Sequence, residues 1–100
     1  MKKMDHKELD AWKESMRLVK EIYSITSGFP DSEKFGLASQ MRRASVSIPS
    51  NIAEGSARSS DKDTLRFLDM ATASCAELET HLIIAGELNF IENNQDLVGK

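Results

Sequence analysis

Apolar residues return at steps of three and four along three long stretches of this 100-residue chain, and that recurrence restricts the fold more than any other feature. Leu9, Trp12, Met16, Val19, Ile22 or Tyr23, and Thr26 share one face of a helix. Leu37, Met41, Ser45, Ile48 and Ile52 share another. Leu65, Leu68, Ala71 or Thr72, Cys75, Leu78, Leu82 and Ala85 form the longest series, with the spacing of bundle packing. The expected fold is an all-α, left-handed antiparallel helical bundle in one domain, with helices near 9–26, 33–57 and 61–88. At 1.5 Å per residue the third helix spans roughly 42 Å.

Two of these helices carry more apolar surface than one neighbour can cover. Ala11, Leu18 and Ile25 make a second, narrower stripe on the first helix. Phe67, Met70, Ile83 and Ile84 lie off the central seam of the third. Burying one Leu or Ile gains about 1.5–3 kcal/mol, so such surplus is costly to leave wet and marks an interface.

Local signals set the expected boundaries. Gly28 and Pro30 stop the first helix, with Gly28 suited to the position after the cap. Asp31 or Ser32 is expected to cap the second helix, which begins near Glu33. Pro49 falls inside that helix, where it deletes the amide bond to the Ser45 carbonyl at a cost of ~3 kcal/mol. The apolar phase continues across it, which predicts one kinked helix, with the small Ser45 side chain relieving the clash. Glu54-Gly55 reads as a helix end, because glycine accepts the left-handed conformation of a C-cap. Ser60 and Asp63 form a capping-box variant before the third helix, and Asn89 ends it. Residues 92–100 supply only a short C-terminal segment.

The longest unbroken apolar run is Leu82 to Ala85, far below a membrane span. Lys2 and Lys3 have no apolar run behind them, so no secretory signal is expected. Cys75 is the single cysteine, which excludes a disulfide framework within one chain and fits a cytoplasmic location. A net charge of −3 argues against indiscriminate nucleic-acid binding, but the charge is uneven. Residues 67–100 hold one lysine against six acids, whereas residues 34–58 hold Lys34, Arg42, Arg43 and Arg58 against Glu54 alone. That asymmetry suits head-to-tail self-association or a local anion site.

On an ideal second helix, Arg43, Ser47, Ser50, Glu54 and Arg58 cluster opposite the apolar face, with Asn51 at their edge and Arg42 beside Arg43. Guanidinium forks with hydroxyl and amide groups suit phosphate. The competing reading is a solvated face, or a seam between subunits in which Arg43 and Glu54 pair across copies. Glu77 and His81 stand four apart, but the Glu-x-x-His pairs of di-iron bundles are lacking, so no metal or cofactor is expected. Cys75 lies on the core stripe and is expected to be a small buried apolar residue. No phosphate-cradling glycine loop, zinc spacing or nucleophile elbow occurs. Catalysis is not expected.

The stretch Gln40-Met-Arg-Arg-Ala-Ser-Val-Ser-Ile-Pro-Ser-Asn-Ile-Ala-Glu-Gly55 is the most distinctive in the chain. It resembles the signature of the four-helix-bundle family encoded by intervening sequences in bacterial 23S rRNA genes. The accessory variability determinant of diversity-generating retroelements is similar to that family. Ala11-Trp12, Phe29-Pro30, Phe35-Gly36-Leu37, Arg66-Phe67-Leu68 and Ala76-Glu77-Leu78-Glu79-Thr80 extend the resemblance over about residues 8–91. It implies an up-and-down antiparallel four-helix bundle that assembles into rings, often pentamers, with no enzymatic activity. Its retroelement relatives associate with a reverse transcriptase and bind nucleic acid through a basic surface. Members usually continue through a full amphipathic fourth helix, so a short or truncated fourth helix is expected here. The functional expectations are a homo-oligomeric assembly or adaptor subunit or, alternatively, an RNA- or DNA-binding accessory factor using the basic face of the second helix.

Overall fold

In a computed structural model, residues 5–92 are described. They form three α-helices: α1 (Asp10–Thr26), α2 (Leu37–Ser56) and α3 (Asp61–Glu87). Single 3-10 turns at His6–Glu8 and Asp31–Glu33 precede α1 and α2. The helices pack side by side in chain order, and no fourth helix is seen among the described residues. The segment 93–100, expected to supply a short C-terminal element, lies outside them.

Each helix runs opposite to the one before it. Ser47 of α2 meets Ser74 of α3, and farther along α2 Gly55 meets the earlier residues Thr64 and Phe67. Likewise Arg42 reaches Thr26 at the end of α1, while Pro49 and Ala53 lie with Trp12 and Met16 near its start. Among the described residues α2 packs on both neighbours, whereas α1 and α3 do not approach within 8 Å between Cα atoms. The core is accordingly built around α2. Met41, Ala44, Ile48 and Ile52 are buried against Ile22 of α1 and Ala71, Leu78, Leu82 and Ala85 of α3. Phe29 and Phe90 close one end, their ring centroids 5.4 Å apart.

Several local expectations are corrected. α2 starts at Leu37, because residues 31–33 form a 3-10 turn of their own. Neither Asp31 nor Ser32 caps it: Gly36 holds the cap position, and the Glu33 carboxylate accepts from the Leu37 amide at 3.0 Å. Gly28 does take the expected position directly after the α1 cap residue Ser27, though without the left-handed φ. Gly55 is not a helix end. It is a buried residue inside α2, where a Cβ would lie 3.2 Å from both the Thr64 carbonyl oxygen and the Phe67 Cβ. What favours glycine there is the close approach of α3, not backbone conformation.

Other expectations hold. α2 continues through Pro49 as one helix, and Ser45 beside it is fully buried, its hydroxyl donating to the Arg42 carbonyl at 2.8 Å. The Ser60 hydroxyl accepts from the Asp63 amide, capping α3. At the other end Asn89 adopts φ 63°. The amides of Asn89 and Phe90 donate back to the carbonyls of Gly86 and Ala85, a Schellman-type stop. That stop swings Phe90 onto Phe29.

Candidate functional site

Because the backbones of α1 and α3 stay apart on either side of α2, a cleft opens between them. Its floor is Ile48 and Ile52 of α2. Ala11, Glu14, Ser15, Arg17, Leu18 and Glu21 form the α1 wall, and Leu68, Ala71, Thr72 and Cys75 the α3 wall. The volume is about 720 Å³. Of the second stripe of α1, Ala11 and Leu18 face this opening, whereas Ile25 packs against the core. The seam of α3 is also divided: Leu78, Leu82 and Ala85 are buried, whereas Leu65 and Leu68, nearer the start of α3, are exposed. Outside the cleft, Met70, Ile83, Ile84 and Leu88 add apolar surface on the same helix.

Cys75 corrects another expectation. It is exposed on the cleft wall and not in the core. Its concave surroundings still remove part of its hydration, and this desolvation raises the thiol pKa above its ordinary value. A raised pKa keeps the sulfur protonated and poorly nucleophilic.

The polar residues of α2 are spread over several environments. Arg42 turns towards α1, where its Nε donates to Thr26 Oγ1 at 2.8 Å and its guanidinium stacks 4.7 Å from the Tyr23 ring centroid. The last turn of α1 has no basic residue of its own, so Arg42 supplies the cation that complements its negative dipole end. Ser47 turns towards α3, sharing a hydrogen bond with Ser74 and accepting from Asn51 Nδ2 at 2.9 Å. Ser50 is exposed and its hydroxyl donates to the Val46 carbonyl. Glu54 and Arg58 form an ion pair at 2.7 Å, with the Arg58 guanidinium 4.6 Å from the Phe67 ring centroid. Arg43 is exposed, and among the described residues no partner holds its guanidinium. The ideal-helix stripe thus contains one unengaged cation, because tertiary contacts recruit the others.

His81 is buried, with Nδ1 unpartnered and Nε2 3.8 Å from Glu77. Among the described residues no group of three His, Cys, Asp or Glu side chains converges as metal ligands. No helix among them is long and apolar enough to cross a membrane.

The family model described as 23S rRNA-intervening sequence protein matches residues 7–97. The chain belongs to this family. No curated protein sequence matches the chain. In this 23S rRNA-intervening sequence protein, the stretch from Gln40 to Gly55 is chiefly a packing element. Ala44, Ser45, Ile48, Pro49, Ile52 and Gly55 are all buried between α1 and α3, which accounts for the small residues and the tolerated proline in physical terms.

Proposed function

We propose that this protein is a non-enzymatic subunit of a homo-oligomeric assembly, with the α1–α3 cleft covered by protein from another copy. The three helices would supply three positions of an up-and-down antiparallel four-helix arrangement, and the cleft is the fourth. The observation that carries this reading is the cleft itself: an opening between α1 and α3 above the buried Ile48 and Ile52, continuing onto the exposed Leu68 and Leu65 of α3. Exposed apolar surface of this extent normally marks a contact. A ring, with five copies as the family resemblance implies, would bury it on every subunit. Light scattering or native mass measurement tests the reading. A stable multiple of the 11.2 kDa chain mass is expected, and a monomer at all concentrations overturns it.

A second reading, contact with RNA or DNA, draws on one observation. Arg43 is unengaged beside Ser39, Ser47, Tyr23 and the fixed Arg42, all lining one surface recess. Binding of mixed-length RNA that weakens with salt, and is lost in Arg43→Ala with folding intact, is the expected result under this reading. Equal affinity of variant and parent dismisses it.

A further inference from the structure

Across the α1–α2 seam from the cleft, a second and smaller groove runs along the molecule. Trp12, Met16 and Val19 of α1 face Val46, Pro49 and Ala53 of α2 there, and no ionisable side chain lines it. Past Val46 it passes into the recess that holds Tyr23, Arg42 and Arg43. Helical spacing sets Lys13 and Lys20 along the α1 rim, three and four residues from Met16. The acids of α1 lie elsewhere. Glu14 and Glu21 line the cleft, and Asp10 falls on the far side of the helix from Trp12. On the α2 rim the Glu54 carboxylate is held by Arg58. Only the 3-10 turn at the Trp12 end adds acids, Asp5 and Glu8, and Lys7 stands between them. The groove is therefore apolar inside and cationic along most of its rim.

The outward face at the end of α3 has the complementary character. Ile84 and Leu88 stand one turn apart, 40% and 52% exposed, with Glu87 beside them and Glu77 two turns before Ile84. Residues 67–92 hold five acids and neither lysine nor arginine. Glu77 shares a recess with Arg43 of its own chain, whereas Glu87 is exposed and has no ion pair among the described residues. The register set by Ser47 and Ser74 brings the turn before α2 level with this end. That turn holds Asp31, Glu33 and Lys34, which leaves the sign unchanged.

We infer that the end of α3 of one copy docks into the α1–α2 groove of a second, with Ile84 and Leu88 over Met16 and Val46 and Glu87 against Lys20. Charge selects a second copy of this chain as the occupant, since an acid-only ridge meets a rim dominated by cations. Length agrees with it: Trp12 to Tyr23 and Glu77 to Leu88 each span roughly 16 Å of helix, the dimensions of an amphipathic helix laid in a groove. The groove belongs to α1 and α2 and the ridge to α3, so the contact joins unlike surfaces and passes from copy to copy. This inference rests on the assembly reading and adds a contact distinct from the cleft.

Native mass measurement and light scattering on the full chain provide the test. Lys20→Glu and Glu87→Lys are each expected to weaken association about tenfold or more by opposing like charges, and the double variant to restore it. Ile84→Ser and Val46→Glu should each weaken it by a similar factor, and both positions are solvent-exposed in the single chain. In a Cys75→Ser background, a chain carrying both Val46→Cys and Ile84→Cys should give a ladder of cross-linked species with a short bismaleimide. Either cysteine alone should give none, because unlike surfaces meet. Circular dichroism of each variant checks the fold, and the double variant's recovery excludes misfolding as the cause of a loss. If the parent assembles but the reversal pair shows no rescue and no ladder forms, this contact is wrong while the assembly reading stands. If added RNA, and not a second copy, protects Val46→Cys from alkylation, the contact is likewise wrong and the groove belongs to nucleic acid. A monomeric parent overturns both this contact and the assembly reading.

Discussion

The hydroxyls of Ser47 and Ser74 meet 2.8 Å apart across the α2–α3 interface, and Asn51 donates to the same Ser47 oxygen. Three polar side chains thereby satisfy one another at a part-buried edge of the contact, in a recess also lined by Gln40, Arg43 and Glu77. A buried hydroxyl without a partner costs free energy, so removing the shared member is worse than removing an end. Ser47→Ala is expected to destabilise the protein by about 1–3 kcal/mol and Ser74→Ala by less. Urea unfolding of both and of the double variant gives their coupling. Strict additivity would show that the hydroxyls do not interact.

Gly55 gives the reverse of the usual helix rule. In an exposed helix interior, Gly→Ala stabilises by about 1 kcal/mol. At Gly55 the new methyl would lie 3.2 Å from a carbonyl oxygen and a Cβ, neither of them the free end of a flexible side chain. Gly55→Ala is therefore expected to destabilise by about 1–3 kcal/mol through overpacking. Gly28→Ala, where the nearest atom is 3.6 Å away, serves as the control with little loss. Thermal denaturation of both decides the matter, and a more stable Gly55→Ala would refute the close-approach account.

The neighbouring arginines should separate cleanly in stability. Arg42→Ala removes the bond to Thr26, the charge at the end of α1 and the stack on Tyr23, with an expected loss of about 1.5–3 kcal/mol. Arg43→Ala, which breaks no hydrogen bond, ion pair or ring contact among the described residues, should stay within about 0.5 kcal/mol of the parent. Equal effects in chemical denaturation would contradict these placements.

Cys75 predicts a pH signature. Desolvation lifts its folded-state pKa above the unfolded value, so folding favours the protonated thiol. The associated stability is fully present below the unfolded thiol pKa and is lost as pH rises through the folded one. Alkylation of the folded chain should have its midpoint at higher pH than alkylation of the urea-unfolded chain. Coincident midpoints would remove the cleft's effect on the thiol.

Helix number, order and approximate ends were legible in the sequence because amphipathic periodicity reports burial directly. The caps at Ser60 and Asn89 follow from short-range rules that tertiary structure leaves alone. The start of α2 was misplaced because Glu33, from inside the 3-10 turn, caps it. Gly55 was misread because its reason lies on α3, which local spacing does not reveal. The same limit applies to the candidate site. An ideal wheel sets Arg43, Ser47, Glu54 and Arg58 side by side, but it cannot show that Ser47 is shared with Ser74 or that Arg58 lies on Phe67. It places Cys75 on the core stripe, and the separation of α1 from α3 leaves that part of the stripe open. Nothing in the spacing marks Phe35 as exposed.

Since α1 and α3 bring no Cα atoms within 8 Å of each other and pack chiefly through α2, the molecule resembles a hinge post carrying two leaves, joined at one end by Phe29 and Phe90. Loosening the open end of either leaf leaves the other packed on the post, whereas damage to the post frees both at once. Hydrogen exchange in a single copy should accordingly grade from the post outward, and anything seated between the leaves would lock them together and erase that gradient.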